Sequence, residues 1–517
     1  MFQEARAFPS GAVATPHYLA TAAGLRTLDR GGNALDAALA ANLVLGVVTP
    51  YLCGYGGDIL AIIWDGELHG YRGVGRSPAG ATVAGVRERS AHEEMPVFGP
   101  HAVTVPGAPR GWFDLLEKWG TRSFGELAAI ARGYAQDGYI LTRRGSQMYS
   151  GTRAILEHFD LHDFSGAYPH IQPGDRVTQP GLVRLLDALA EDGPDVYYKG
   201  AVADAIVAKL QSHGSFMEPD DLANHSGAFV APLRAPFRGV EVCELPPPTQ
   251  GVTALEAMRI VDDFDLGADD GERAHVLIEA MKLALADRNQ YVSDPEAMPV
   301  PAEMLLSDEW INRRRGSVDR TRAATPRPDP GPDGGTAYFC AADKDGMLVS
   351  LIQTNFTAAG AGLHVGDWGI NLQNRGSSFR LDDDHVNAMA GGKLPMHTLI
   401  PALALRDGKP WLVFGAMGGH TQAQTHLQML VHACVDGLDP QEAITAPRWA
   451  VDPDHWFVSA EKRFDGALLD VLEAKGHDVR VTRAYDDHMG HAHAIELLEP
   501  GYRVATDPRA EGAAAGL

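Results

Sequence analysis

The spacing of apolar positions divides the chain into a helix-rich first part and a strand-rich second part. Residues 11–15 read as a short strand, and residues 19–29 and 34–45 as two helices split by Arg30-Gly31-Gly32-Asn33. The glycines close the first helix and Asn33 caps the second. The second helix is apolar on nearly every side, which places it inside the protein. Residues 59–64 form a strand after Gly54-Tyr55-Gly56-Gly57-Asp58, and Asp65-Gly66 turns it back. Helices follow over 109–119 and 124–136, and the stretch to residue 210 stays helical with exposed loops. Residues 240–245 are a strand that runs into Pro246-Pro247-Pro248-Thr249-Gln250-Gly251. Long helices come next, one of them over 274–291. Beyond residue 335 strands take over. Two β-prone runs, 336–342 and 347–352, flank an Asp343-Lys344-Asp345-Gly346 turn. Residues 369–373 are a further strand, and 399–405 pairs with 411–414 across Arg406-Asp407-Gly408-Lys409. This order of elements predicts an α+β layered fold.

Between the two parts, residues 316–335 carry Pro326, Pro328, Pro330 and Pro332 with Gly331, Gly334 and Gly335. Such a segment packs into neither a helix nor a central strand, and is expected to be a mobile surface connection. A strand then begins abruptly at Thr336. A linker followed by a half-buried strand accounts for this without chemistry. The reactive alternative is a threonine nucleophile exposed by self-cleavage of the Gly335–Thr336 bond. Gly335 offers no side chain to hinder attack on its carbonyl. The freed amine, with an ordinary pKa of about 8, can then serve as base for its own hydroxyl. The local residues leave both alternatives open.

Composition narrows the class. A chain of 517 residues with 45% apolar and 21% charged positions can bury a large core. Its net charge of −23 argues against a nucleic-acid partner. The cysteines Cys53, Cys243, Cys340 and Cys434 are far apart and are expected to be reduced thiols. Residues 37–48, the longest apolar stretch, are too short to span a bilayer. The first ten residues lack a basic region followed by an apolar one, so a cytoplasmic protein is expected.

Further strings bear on chemistry. Gly415-Ala416-Met417-Gly418-Gly419-His420 joins the 411–414 strand to a helix over 422–434. A strand–glycine loop–helix junction frees backbone N–H groups of the kind that hold an oxyanion, though turns alone also explain such loops. Arg72 and Arg76 lie among glycines in Gly70-Tyr71-Arg72-Gly73-Val74-Gly75-Arg76-Ser77-Pro78, where a guanidinium fork can reach a carboxylate; solvated surface arginines would look the same. His488, His491 and His493 lack a carboxylate or thiol pattern that would complete a metal site. Arg313-Arg314-Arg315 reads as a solvated helix end, and Asp36, Asp287 and Arg288 as structural contacts.

From about residue 11 to its end, the chain resembles the γ-glutamyltranspeptidase family of N-terminal-nucleophile hydrolases. The resemblance is carried, in order, by Gly31-Gly32-Asn33-Ala34-Leu35-Asp36-Ala37-Ala38, Val105-Pro106-Gly107, Pro246 to Gly251, Ala280-Met281-Lys282 with Ala286-Asp287-Arg288, Thr336 and its hairpin, Gly418-Gly419, Ala446-Pro447-Arg448-Trp449, and Asp507-Pro508-Arg509. It implies a four-layer αββα sandwich. It also implies one precursor cut before Thr336 into a large chain, residues 1–335, and a small chain, residues 336–517, which stay intertwined. By position Thr336 matches the nucleophile, Thr354 the hydroxyl that orients it, and Gly418 and Gly419 the oxyanion donors. No metal or organic cofactor is implied. The partners are a small-molecule amide and the two chains themselves, with no nucleic acid and no membrane; a homo-oligomer of processed heterodimers is compatible with the family.

The departures concern the donor. The usual Thr-Thr-His start is Thr336-Ala337-Tyr338 here. Phe356 stands where transpeptidases place an Asn that holds the glutamate ammonium. Their Gln and Asp fall on Arg375 and Ser378, beside Asn374, and their paired serines on His397 and Thr398. Their carboxylate-binding Arg has no counterpart in register; Arg76 lies slightly late and Arg72 slightly early. An Arg in an ammonium site repels the ammonium. The expected enzyme is therefore a self-cleaving amidohydrolase or acyltransferase whose donor is a small acyl amide bearing a carboxylate. Its alternatives are a true γ-glutamyltranspeptidase acting on glutathione, and an unprocessed binding protein that kept the fold.

Overall fold

The computed structural model describes residues 4–267, 269–326 and 334–517. Two seven-stranded sheets organise them. One runs through Ala513–Gly516, Ala12–Thr15, Gly335–Ala342, Leu348–Phe356, Asp58–Trp64, Leu68–Gly73 and Ala228–Val230. The other runs through Arg6–Phe8, Tyr502–Thr506, Ala492–Leu497, Lys409–Ala416, Ala402–Arg406, Val240–Glu244 and Leu233–Phe237. Neighbours within both sheets are antiparallel.

The period-two alternation of these strands sorts their side chains into layers. Tyr338, Cys340 and Ala342 join Leu60, Ile62, Leu403 and Val413 in a core between the sheets. The opposite face of the first sheet, with Ala337, Phe339, Ala341, Ile59 and Ile63, packs on helices that include Ala34–Val48. The opposite face of the second, with Ala402, Ala404, Leu412 and Phe414, packs on Gly251–Val261, Asp270–Tyr291 and Thr421–Cys434. Helix, sheet, sheet, helix: the expected αββα sandwich is the fold. Both sheets interleave strands from before and after residue 335, so neither part could complete a sheet alone.

The helix Ala34–Val48 is buried at every position. Asn33 accepts from the N–H of Asp36 and the Asp36 carboxylate receives the N–H of Asn33, a reciprocal cap worth about 1 kcal/mol. Gly31, at φ +81°, makes the tight exit from Tyr18–Asp29.

Three expectations need correction. The strand expected over 369–373 shortens to Ile370–Asn371, paired with His364–Val365. Of the connection expected over 316–335, residues 327–333 lie outside the described residues, and residues 319–324 are pinned. Lys282 Nζ donates to the Ala324 carbonyl at 2.8 Å, the Ala324 N–H to Glu279 at 2.9 Å, and Lys475 Nζ to the Arg320 carbonyl at 2.6 Å. Finally, Arg313 is exposed as expected, but Arg314 and Arg315 are half-buried and held: Arg314 pairs with Asp287, and Arg315 donates to the carbonyls of Ile260 and Arg259. These acceptors come from other helices, which no local string reveals.

Candidate active site

Strand pairing is irregular around the Gly335–Thr336 bond. Gly335 faces Phe356 and Ala337 faces Gln353, so Thr336 alone spans Thr354 and Asn355. Such a bulge re-aims a side chain. Phe356 takes φ +75° there, a costly conformation for a bulky residue. The result is a buried array of hydroxyls. Thr336 Oγ1 donates to Thr354 Oγ1 at 3.3 Å, and Thr354 Oγ1 donates to the Gly335 carbonyl oxygen at 2.6 Å. The Phe356 N–H donates to Thr354 Oγ1 at 2.7 Å and fixes its orientation. The oxygen that receives the Thr354 proton belongs to the peptide bond preceding Thr336. A Cβ on Gly334 would lie 2.4 Å from the Phe356 ring, so only glycine lets the chain pass there.

Tyr338 explains one departure at the strand start. Its hydroxyl meets Ser350 Oγ at 2.9 Å, and Ser350 also accepts the Ala402 N–H at 3.0 Å, linking the two sheets. Its ring fills the space above Gly415, where any Cβ would clash at 2.4 Å. The strand bearing Thr336 is thereby packed on the strand that leads to the glycine loop.

Gly418, at φ +131°, and Gly419, at φ +56°, occupy that loop between Lys409–Ala416 and Thr421–Cys434. Their carbonyls are held: Gly418 accepts from Thr421 N–H at 3.0 Å and Gly419 from Gln250 Nε2 at 2.9 Å. Among the described residues no backbone carbonyl receives either amide N–H. Gln250 Nε2 also donates to the Thr398 carbonyl at 2.9 Å, and Arg288 holds the Gln250 Oε1 at 2.9 Å.

Arg375 is wholly buried, with its Cζ 3.6 Å from the centre of the Phe356 ring. Nη1 makes two long hydrogen bonds, to Thr398 Oγ1 at 3.3 Å and Ser378 Oγ at 3.5 Å. Nε and Nη2 bond to nothing among the described residues. Burial pulls the guanidinium down to about 9, with Asp58 opposing. Asp58 is buried as well, and Oδ1 accepts from Gln373 at 2.9 Å and from the N–H groups of Gly107 and Gly75 at 3.2 and 3.3 Å. Burial lifts its carboxyl to about 7, against the pull of Arg375 and those donors. His397 Nδ1 accepts the Leu399 N–H, which leaves Nε2 to donate to Asp58 Oδ2 at 3.2 Å. Burial and the nearby Arg375 hold the imidazole well below its ordinary value, hence neutral.

Contacts thus connect Thr336, Thr354, Phe356, Arg375, Thr398, Gln250 and Gly419 in one continuous set, with Asp58 and His397 behind Arg375. Asn374 sits beside it with both ends engaged, donating to the Val97 carbonyl and accepting from Thr357 N–H. Arg72 and Arg76 lie elsewhere. They line a cavity of about 330 Å³ with Asp221 and His225, and none of Thr336, Thr354, Arg375 or Gly418 lines it. Arg72 donates to the Pro247 carbonyl and Arg76 to Asp294 and the Gly392 carbonyl. His488, His491 and His493 go to separate partners: Asp486, Asp487 and Thr506.

Sequence reasoning assigned no role to Asp58, Gln250 or Gln373. Asp58 had a signal: an acid leading the apolar run Ile59-Leu60-Ala61-Ile62-Ile63 must be buried and therefore partnered. Gln250 had a weaker one, a polar side chain closing a proline-rich turn.

The fold and the buried threonine array define an N-terminal-nucleophile type of hydrolase. The family model described as gamma-glutamyltranspeptidase matches residues 20–517, and the chain belongs to that family. It is 35% identical to the glutathione hydrolase-like YwrD proenzyme of Bacillus subtilis, over 98% of both chains. It is 34% identical to the oxamate amidohydrolase proenzyme of Klebsiella pneumoniae, again over 98% of each. The cephalosporin acylase of Bacillus halodurans superposes with a TM-score of 0.94 at 35% identity, covering 99% of this chain and 97% of that one. This protein is accordingly a self-cleaving, amide-hydrolysing enzyme of the family.

Proposed function

We propose that Thr336 cleaves its own precursor and then serves as the nucleophile of a hydrolase for amides whose acyl group carries a carboxylate. The observation that supports this is the hydroxyl array at the Gly335–Thr336 bond. Thr336 Oγ1 attacks the Gly335 carbonyl carbon while its proton passes to Thr354 Oγ1, and the Thr354 proton passes to the carbonyl oxygen. Collapse breaks the C–N bond, the proton moves to the departing nitrogen, and an ester remains on Thr336 with its amine freed. Water hydrolyses the ester and separates residues 1–335 from residues 336–517.

In the mature enzyme the Thr336 amine takes up the hydroxyl proton as Oγ1 attacks the donor amide. The Gly418 and Gly419 N–H groups receive the negative charge on the carbonyl oxygen, their peptide planes fixed by Gln250 and Thr421. The amine product leaves, and water resolves the acyl-enzyme. Arg375 disfavours the ammonium of a γ-glutamyl donor, which supports hydrolysis of other acyl amides over glutathione chemistry.

Intact mass of the wild-type chain beside a Thr336→Ala variant tests the nucleophile. The wild type should divide with Thr336 at the new N-terminus, and the variant should stay whole. A wild-type chain that stays whole after prolonged incubation would overturn the proposal. Anilide release should be faster from a glutaryl than from a γ-glutamyl donor; the reverse order would defeat the reading of the donor.

A further inference from the structure

We infer that Nε and Nη2 of Arg375 are the receptor for the donor's carboxylate, so that the acyl subsite takes monoamides of dicarboxylic acids without an α-amino group. This rests on Thr336 being the nucleophile and names what lies at the far end of its acyl group.

A buried guanidinium whose N–H groups bond to nothing is costly, because those groups have lost water and gained no acceptor. Arg375 is fully buried, and two of its three nitrogens stand in that state among the described residues. Nε and Nη2 are adjacent on one edge of the fork. That edge presents two parallel N–H bonds, the arrangement that fits the two oxygens of a carboxylate. The remaining nitrogen, Nη1, is anchored on Thr398 and Ser378, and the Phe356 ring covers the guanidinium plane. The free edge is thereby held in one direction before any ligand arrives, which reduces the entropy lost on binding.

The charge around it selects the ligand. Asp58 is the acid that acts on Arg375, yet its oxygens are taken up by Gly75, Gly107, Gln373 and His397 rather than by the guanidinium. Arg375 therefore has no ion pair among the described residues, and a ligand carboxylate completes the site. An ammonium on the same ligand would face like charge.

The position suits an acyl group. Phe356 touches Arg375 through its ring and Thr354 through its N–H, one step from Thr336. Gln250 holds both the Thr398 carbonyl, beside the Arg375 anchor, and the Gly419 carbonyl of the glycine loop. Arg72 and Arg76 are poorer receptors: they line the separate cavity, and Arg76 is already paired with Asp294 at 3.2 Å and Glu296 at 3.8 Å.

The experiment compares glutaryl, pentanoyl and γ-glutamyl anilides as donors for wild-type, Arg375→Gln and Arg375→Lys enzymes. Self-cleavage is read by mass in each preparation, to show that Thr336 is live. The wild type should favour the glutaryl over the pentanoyl donor in kcat/KM. Arg375→Gln should reduce that ratio by about 100-fold, mostly through KM, and Arg375→Lys should recover part of it. A processed Arg375→Gln enzyme that keeps the wild-type ratio would overturn the inference while leaving the nucleophile standing. Calorimetric titration of the wild type provides a readout independent of any variant's folding. Glutarate should bind at least tenfold more tightly than L-glutamate or pentanoate, and equal binding of the three would overturn the inference as well.

Discussion

Valine at position 354 keeps the shape of threonine and removes one hydroxyl, which takes part in three hydrogen bonds. Those bonds are Thr336 Oγ1 to Thr354, Thr354 to the Gly335 carbonyl, and the Phe356 N–H to Thr354. The losses differ in kind. The Phe356 N–H is left unsatisfied in a buried place, at about 1–3 kcal/mol in stability, and the half-buried Gly335 carbonyl loses its donor at a smaller cost. That cost falls on the precursor before reaction and does not by itself slow cleavage. The bond to Gly335 is different, because its acceptor gains negative charge as Thr336 attacks. Removing a donor of this type costs about 2.7–4 kcal/mol of barrier, or roughly 100- to 1000-fold in rate. Thr354→Val should therefore slow self-cleavage by that factor, while Thr354→Ser should cleave within about tenfold of wild type. Intact mass of purified precursor over time measures both rates, and circular dichroism checks that the valine variant is folded. A folded Thr354→Val precursor that matures at the wild-type rate would refute the role assigned to this hydroxyl.

Gly418→Ala should lower kcat by about 100-fold or more with little change in KM, since φ is +131° and the new Cβ would lie 2.2 Å from Thr421 Oγ1. Gly419→Ala should cost less, because φ +56° is a left-handed conformation that alanine reaches at about 1–2 kcal/mol. Asp58 has a folded pKa of about 7, above the ordinary carboxyl value, so it is neutral below that pH and anionic above it. As pH rises through 7 the new charge offsets the field of Arg375, with His397 neutral throughout and Tyr197 and Tyr198 too high to ionise. KM for a carboxylate donor should rise over that window, KM for a neutral donor should not, and Asp58→Asn should remove the rise. The same shift means that Asp58 opposes folding progressively from about pH 4 to pH 7, so the Asn variant should show a flatter stability profile there in urea titrations. Arg509→Ala should destabilise the fold by about 3–5 kcal/mol in urea, because it strips Glu461 of two 2.8 Å bonds and Asp507 of one at 3.2 Å, all buried.

Much of the fold was legible because local patterns and global packing agree. An apolar run with a capping Asn produced a fully buried helix, and period-two runs around Asp-Gly-type turns produced paired strands. Thr336, Thr354 and the Gly418-Gly419 pair stood out through the family resemblance, by their positions in the matched motifs, since their local strings alone also fit a plain strand and a plain turn. The rest depends on partners remote in sequence. Asp58 meets Gln373 and His397 across separations of 315 and 339 residues. Arg314 and Arg315 read as a charged helix end until Asp287 and the carbonyls of Ile260 and Arg259 close over them. Residues 319–324 read as part of a loose connection until Lys282, Glu279 and Lys475 hold them.

The sequence by itself determined most of the elements and the layered class, since these follow from side-chain periodicity and from where glycine and proline break it; Thr336 was singled out by the family resemblance, its local residues leaving both readings open. Only the tertiary structure told the three candidate arginines apart. Arg72, Arg76 and Arg375 are alike as letters among small residues. Their difference is one of burial and partners: two of them spend their N–H groups on carbonyls or acids beside a separate cavity, and one keeps a free edge in the protein interior, next to the Thr336–Thr354 hydroxyl array.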